Sequence, residues 1–196
     1  AASDHTSMRV QMYLKNEGAV LDLDGAELID AGLTNSSWER GDLTGWSPYE
    51  VETTAVVGSS ASMLREGSKY ADVVTTKVGG SLLQNVPVAP VPGDSYMASV
   101  WMRSATNTAV SGRVAMWAIG GASERGRTAF TVGPQWTLVS ATVNVGIAGH
   151  TALKFQVYLD TPSAHLLLDS AQVVNVGLSN SSWERGDQSS WTAFEP

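Results

Sequence analysis

Hydrophobic and polar residues alternate along most of the chain, and a period of two is typical of β-strands. The pattern predicts strands over 51–57, 71–78, 81–88, 95–103, 112–119, 127–132, 136–145, 151–160 and 164–174. No stretch of useful length repeats its apolar positions every 3.6 residues, as an amphipathic helix would. Regularly spaced short strands between turns predict an all-β fold, a β-sandwich jelly roll of two antiparallel sheets.

The alternation also predicts which side of a strand faces the core. Three strands carry aromatic rings among polar side chains on the side away from their apolar residues. These outward positions are Ser99, Trp101 and Arg103 in the first strand, Arg113 and Trp117 in the second, and Lys154, Gln156, Tyr158 and Asp160 in the third. The opposite sides are apolar: Tyr96, Ala98, Val100 and Met102; Val114, Met116 and Ala118; Leu153, Phe155, Val157 and Leu159.

The sequence also contains a long internal repeat. The segment 32–46, GLTNSSWERGDLTGW, returns as GLSNSSWERGDQSSW at 177–191, and residues 1–51 match 146–196 at 22 of 51 positions. A period of 145 residues is the size of a whole domain. We therefore expect 1–31 to hold the C-terminal strands of a preceding repeat, 32–176 a complete domain, and 177–196 the start of a following repeat.

Composition narrows the possible partners. The formal net charge of −7 argues against nucleic acid or an anionic membrane as a partner. The chain has no cysteine, which excludes disulfides, thiol nucleophiles and thiolate metal sites but leaves the compartment open. No apolar run approaches the roughly 20 residues of a membrane-spanning helix. The RGD at 40–42 is interpreted as part of a turn.

Outward aromatic rings flanked by amides and guanidinium groups suit sugars. The C–H faces of a pyranose stack on an indole or phenol, and neighbouring polar groups take the hydroxyls. The alternative is that these rings pack under a loop or against the next repeat. Trp38, Trp46 and Trp136 lie at strand starts beside turns, and we interpret them as packing residues.

The order of the motifs resembles a carbohydrate-binding module of the family four/nine type, a galactose-binding-like jelly roll. The resemblance rests on NSSWE followed by a tryptophan, then SLLQNVPVAPVPGDSYMASVWMR, GPQWTLVSATV and HLLLDSAQVV, and spans nearly all of 32–176. Two departures are Trp38, where the family usually has phenylalanine, and a single Asp169, where paired aspartates are common.

The resemblance implies a function and a set of site residues. It implies a non-catalytic polysaccharide- or glycan-binding domain from a secreted or cell-surface protein, with sugar stacked on a concave sheet. It carries the ligand site onto Trp101, Arg103, Trp117, Gln156 and Tyr158, with Gln84 as a further candidate. It also implies a structural Ca²⁺ ion at Glu39 and Asp169, although both could equally be surface carboxylates.

Other classes of function fit the sequence less well than carbohydrate binding does. Glycoside hydrolysis needs two carboxylates across a cleft, whereas the acidic residues here lie mostly in turns or at strand ends, so we do not expect an enzyme. The competing class is a structural or adhesin-type repeat, a stalk or fibre with no sugar ligand of its own. Because the terminal fragments duplicate parts of the complete repeat, strand exchange or head-to-tail self-association is also predicted.

Overall fold

The computed structural model of the protein describes residues 32–50 and 52–176, which form ten strands in two antiparallel sheets. The strands are β1 (Ser47–Tyr49), β2 (Thr53–Gly58), β3 (Tyr70–Thr75), β4 (Ser81–Val86), β5 (Ser95–Ser104), β6 (Val110–Ile119), β7 (Glu124–Val132), β8 (Thr137–Asn144), β9 (Ala152–Leu159) and β10 (Ala164–Asn175). The front sheet has the order β1-β4-β9-β6-β7, and the back sheet has the order β2-β3-β10-β5-β8. This is the predicted all-β sandwich. None of the described residues forms a helix that could span a membrane.

All nine strands predicted within these residues are present, with ends that differ by at most a few residues. The strand that the pattern did not predict is β1, whose three residues include Pro48 and show no alternation. It pairs with β4 at the edge of the front sheet. Proline is tolerated at an edge because a missing backbone donor there breaks no central hydrogen bond.

The core lies between the sheets and consists of the apolar sides that alternation predicted. Val100 and Met102 of the back sheet and Val157 and Phe155 of the front sheet are fully buried. The predicted packing of Trp38 and Trp46 is confirmed, since their exposed fractions are 0% and 5%. Their rings lie 4.9 Å apart between centroids, and Trp46 also meets Phe155 edge-on at 5.7 Å. The N-terminal turn is therefore anchored in the core by two indoles.

One edge of the sandwich closes through a glycine. A Cβ atom at Gly126 would lie 1.6 Å from the backbone oxygen of Thr142, far inside contact distance. Gly126 belongs to β7 at the edge of the front sheet, and Thr142 belongs to β8 at the edge of the back sheet. The absence of a side chain therefore allows these two edge strands to approach each other directly.

The repeat-related predictions fall mostly beyond the described residues. The fragments 1–31 and 177–196, and the self-association expected from them, lie outside the described residues and stay predictions. The sandwich lies within residues 32–176, the range that the sequence predicted to be a complete domain.

Candidate functional site

The most promising surface for a ligand is the outer face of the front sheet. Strand β6, which lies between β9 and β7, points Arg113, Ala115 and Trp117 outward from this sheet. The register places Arg125 on β7 and Lys154 on β9 on either side of Trp117. The polar and aromatic side chains predicted to face away from the core on β6 and β9 thus come together here.

These strands form a shallow cavity, which we call the front cleft, lined by Arg113, Ala115, Trp117, Arg125, Arg127 and Tyr158. Its volume is about 170 Å³. The cleft exists because the small side chain of Ala115 lies between the large side chains of Arg113 and Trp117 along β6. Typical ligand pockets measure roughly 300–1,000 Å³, so the cleft suits one unit of a longer ligand whose other units lie on the open sheet.

Cations flank the indole of Trp117. The guanidinium carbon of Arg125 and the ammonium nitrogen of Lys154 each lie 4.8 Å from the ring centroid. Both distances are within the range of a cation–π interaction. The two side chains come from the strands on either side of β6, and their contacts restrict the orientation of the ring.

Tyr158 also lines the cleft, and hydrogen bonds hold it in place. Its hydroxyl donates a hydrogen bond to Oε1 of Gln156 at 2.7 Å, and Nε2 of Gln156 donates to the Ser81 hydroxyl, also at 2.7 Å. Burial raises the pKa of the Tyr158 phenol, although the nearby Arg125 and Arg113 guanidinium groups act in the opposite direction. Gln156 is only 2% exposed, so it supports Tyr158 from below rather than presenting its amide to solvent.

The structure separates two of the predicted ligand residues from this group. Trp101 and Arg103 lie on β5, which belongs to the back sheet, so they face away from the front cleft. The guanidinium of Arg65, from the segment between β2 and β3, lies 4.2 Å from the Trp101 ring centroid, so this ring too has a cation–π contact. The expectation of one shared face therefore holds for Trp117 and Tyr158 but not for Trp101 and Arg103.

Gln84 also differs from its predicted position. It pairs in register with the core residue Phe155 and is 2% exposed, so it points inward from β4. Its amide accepts a hydrogen bond from the backbone N–H of Thr34 at 2.6 Å and donates to the Thr34 carbonyl at 2.9 Å. The side chain thus pairs with the backbone of the N-terminal segment and fastens that segment to the front sheet.

The two predicted metal ligands meet the same short segment, 65–69. Glu39 accepts hydrogen bonds from the amides of Ser68 and Lys69, both at 2.9 Å, and from the Ser68 hydroxyl at 2.7 Å. These bonds, led by that of the Ser68 hydroxyl, lower the pKa of Glu39. Asp169 is fully buried beneath the segment, and its Oδ2 accepts a hydrogen bond from the Glu66 amide at 3.4 Å.

These carboxylates fit a calcium ion only in part. Burial raises the pKa of Asp169, and the nearby Glu66 carboxylate adds to this, so a cation there would relieve a real penalty. However, Glu39 already accepts three hydrogen bonds, and among residues 32–50 and 52–176 no three acidic or histidine side chains are grouped so that they could hold a metal. Structural calcium stays a prediction, and we assign no role in ligand binding to it.

Arg125 and Arg127 line the cleft but were not among the predicted ligand residues. The strand was predicted to begin at 127, whereas β7 begins at Glu124, so Arg125 was left in a turn. The two arginines are two positions apart and therefore point to the same side, next to Trp117 and Ala115. The pattern Arg-Gly-Arg was the signal that could have placed them on the outer face.

Comparisons with known proteins place the fold in a class. The sequence matches no model of a protein family, and a search of curated proteins found no match. The xylan-binding module CBM22-1 of Xyn10C from Paenibacillus barcinonensis matches the structure with a TM-score of 0.63 and 15% identity, covering 79% of this chain and 99% of the module. The module TmCBM61, in complex with β-1,4-galactotriose, matches with a TM-score of 0.54 and 14% identity, over 74% of this chain and 99% of that one.

A family 4 module also matches, with a TM-score of 0.51 and 12% identity, over 73% of this chain and 99% of the module. The protein therefore has the jelly-roll fold of carbohydrate-binding modules. Because matching modules come from families 22, 61 and 4, the finer resemblance to the family four/nine type stays a prediction.

Proposed function

We propose that the domain formed by residues 32–176 is a non-catalytic carbohydrate-binding module of a secreted or cell-surface protein, and that its ligand is a polysaccharide bound across the front cleft. The observation that carries the proposal is the pair of aromatic rings, Trp117 and Tyr158, that line the cleft on an outward sheet face. Modules of the same fold are described as binding xylan and β-1,4-galactotriose. The likeness in fold supports a polysaccharide partner.

In the proposed complex a sugar ring stacks on Trp117 while hydroxyl groups meet the surrounding polar side chains. Arg125 and Lys154 hold the indole in place before the ligand arrives, so little side-chain entropy is lost on binding. Tyr158 is likewise held by Gln156. Both aromatic side chains are therefore preorganised.

Affinity electrophoresis against a panel of soluble xylans, galactans, β-glucans, mannans and polygalacturonate tests the proposal. We expect at least one polymer to retard the protein, and we expect Trp117→Ala to abolish the retardation. Trp101→Ala is the matched comparison, because it removes the same side chain from the opposite sheet. Loss of binding in Trp101→Ala and not in Trp117→Ala would move the site to the back sheet.

A structural repeat without its own sugar ligand is the alternative outcome. Under it, no polysaccharide of any charge would retard the protein. Circular dichroism of each variant would show that a loss of binding does not reflect a loss of fold.

A further inference from the structure

The front face concentrates positive charge in an acidic protein. The whole chain has 12 lysines and arginines against 19 acidic residues. Nevertheless Arg113, Arg125, Arg127 and Lys154 all point outward from three adjacent strands of the front sheet. No aspartate or glutamate occupies an outward position on those three strands, β7, β6 and β9. The cleft is therefore a basic site on an otherwise acidic chain.

Three of these cations have no carboxylate partner within the described part of the chain. Arg113 is paired with Asp160 beyond the end of β9. Arg125 and Lys154 contact the Trp117 ring, and Arg127 is exposed without an ion pair. Desolvation lowers the pKa of Lys154, as expected for a partly buried ammonium group that lacks a counter-charge. The face thus carries positive charge that the described residues do not neutralise.

Unpaired arginines beside an aromatic ring are suited to a sugar that carries a negatively charged group. A guanidinium group binds a carboxylate through two parallel hydrogen bonds. The pair of Arg113 and Asp160 shows this geometry at one end of the cleft. A sugar that carries a carboxylate would place its C–H face on Trp117 while its charged group lies between Arg125, Arg127 and Lys154.

We propose that the front cleft binds an acidic polysaccharide, and that Arg125, Arg127 and Lys154 hold the carboxylates of its uronic acid units. This inference rests on the proposed carbohydrate-binding function and specifies its ligand class. A nucleic acid is the less favoured polyanion, because its binding depends on many phosphate contacts over a long basic surface, whereas the front cleft offers three unpaired cations beside one indole ring.

The test compares one polymer with and without its charge. Binding of the whole chain to polygalacturonate is measured by isothermal titration calorimetry at 50 mM and 500 mM NaCl, beside polygalacturonate whose carboxyl groups have been reduced to alcohols. At 50 mM NaCl we expect the charged polymer to bind at least about tenfold more tightly than the reduced one. We expect the difference to shrink at 500 mM NaCl because salt screens exposed charges.

A double variant identifies the arginines. Arg125→Gln/Arg127→Gln should lose at least about tenfold in affinity for polygalacturonate. Arg40→Gln/Lys77→Gln removes the same net charge from loops away from the front sheet and should bind as the unaltered protein does. Equal losses in both double variants would mean that net charge alone governs binding, and would overturn the assignment of these arginines.

The remaining outcomes separate this inference from the proposed function. Equal binding to the charged and reduced polymers, or binding only to neutral xylan or galactan, would overturn the acidic ligand and leave the carbohydrate-binding function intact. Binding to no polysaccharide would overturn both. Equally tight binding to dextran sulfate or to double-stranded DNA would replace uronate recognition with general attraction to polyanions.

Discussion

Arg113 and Asp160 form a two-point ion pair at the rim of the front cleft. Nε and Nη2 of the arginine donate hydrogen bonds to the two carboxylate oxygens, at 2.9 and 2.8 Å. The Asp160 carboxylate raises the pKa of Arg113, first through these hydrogen bonds and then through its charge. Asp160 thus occupies the place that a ligand carboxylate would otherwise take on Arg113.

Replacing Asp160 with asparagine should strengthen the binding of an anionic polymer. The change leaves Arg113 without its counter-charge, so the cleft gains one available cation. We expect a severalfold rise in affinity for polygalacturonate at 50 mM NaCl and a steeper dependence on salt. Stability should change by about 1 kcal/mol or less, because partly exposed ion pairs contribute little. Weaker binding in Asp160→Asn would show instead that the carboxylate itself accepts hydrogen bonds from the sugar.

Trp46 should be among the most costly residues to truncate. Its ring packs on Trp38 and Phe155, and its Nε1 donates a hydrogen bond to the Asn35 carbonyl at 3.2 Å. We expect Trp46→Ala to lower the free energy of unfolding by about 3–5 kcal/mol, measured by urea denaturation. Trp46→Phe keeps most of the ring volume and should cost clearly less. A loss below about 1 kcal/mol in Trp46→Ala would contradict the anchoring role of this residue.

Glu124 should make the stability of the fold depend on pH in the acidic range. Its pKa is lowered below its ordinary value of 4.5, chiefly by the hydrogen bond with His150 and then by the amide of Ile147. A carboxyl group with a lowered pKa in the folded state stabilises the fold above its unfolded pKa, and this contribution disappears as the pH falls through the folded pKa. We therefore expect Glu124→Gln to be less stable than the unaltered protein at pH 7, and we expect the difference to disappear in thermal melts as the pH falls below 4.5 and through the lower folded pKa. A difference that persists at low pH would mean that it comes from packing rather than charge.

Calcium should raise the thermal midpoint if Asp169 and its neighbours hold the predicted ion. At a calcium concentration 100 times the dissociation constant, binding adds about 2.7 kcal/mol to stability. For a domain of this size that is a shift of about 5–10 °C, measured by calorimetry in calcium against EDTA. Asp169→Asn should abolish the shift, and Glu50→Gln, which alters an exposed carboxylate, should keep it. Identical melts in calcium and EDTA would refute the ion.

The sequence predicted the sides of strands well because side-chain alternation is a local property. Val114 and Met116 face inward and Arg113 and Trp117 face outward, as their spacing requires. The sequence could not predict which sheet holds each strand, because the assignment of strands to sheets depends on contacts between distant segments. Strand β5 lies in the back sheet although the next strand, β6, lies in the front sheet. The predicted outward orientation of Trp101 was therefore correct, but the prediction of which residues lie beside it was wrong.

Polar residues inside the fold were a second limit. Gln84 and Gln156 are glutamines in alternating strands, and nothing local distinguishes them from solvent-exposed glutamines. Their burial follows from partners that are far away in sequence, the Thr34 backbone for one and Ser81 for the other. Buried amides require such partners, and only the folded chain shows that they are available.

The arginines of β7 have a consequence apart from any ligand. Edge strands carry unpaired backbone groups and tend to add a strand from another molecule, which leads to aggregation. Arg125 and Arg127 are exposed on β7, the last strand of the front sheet. Strand β8 approaches this edge at Gly126, and a second sheet that joined the rest of the edge would bring like charges together and strip them of water. The same cations would therefore discourage a second copy of this chain from extending the front sheet at β7.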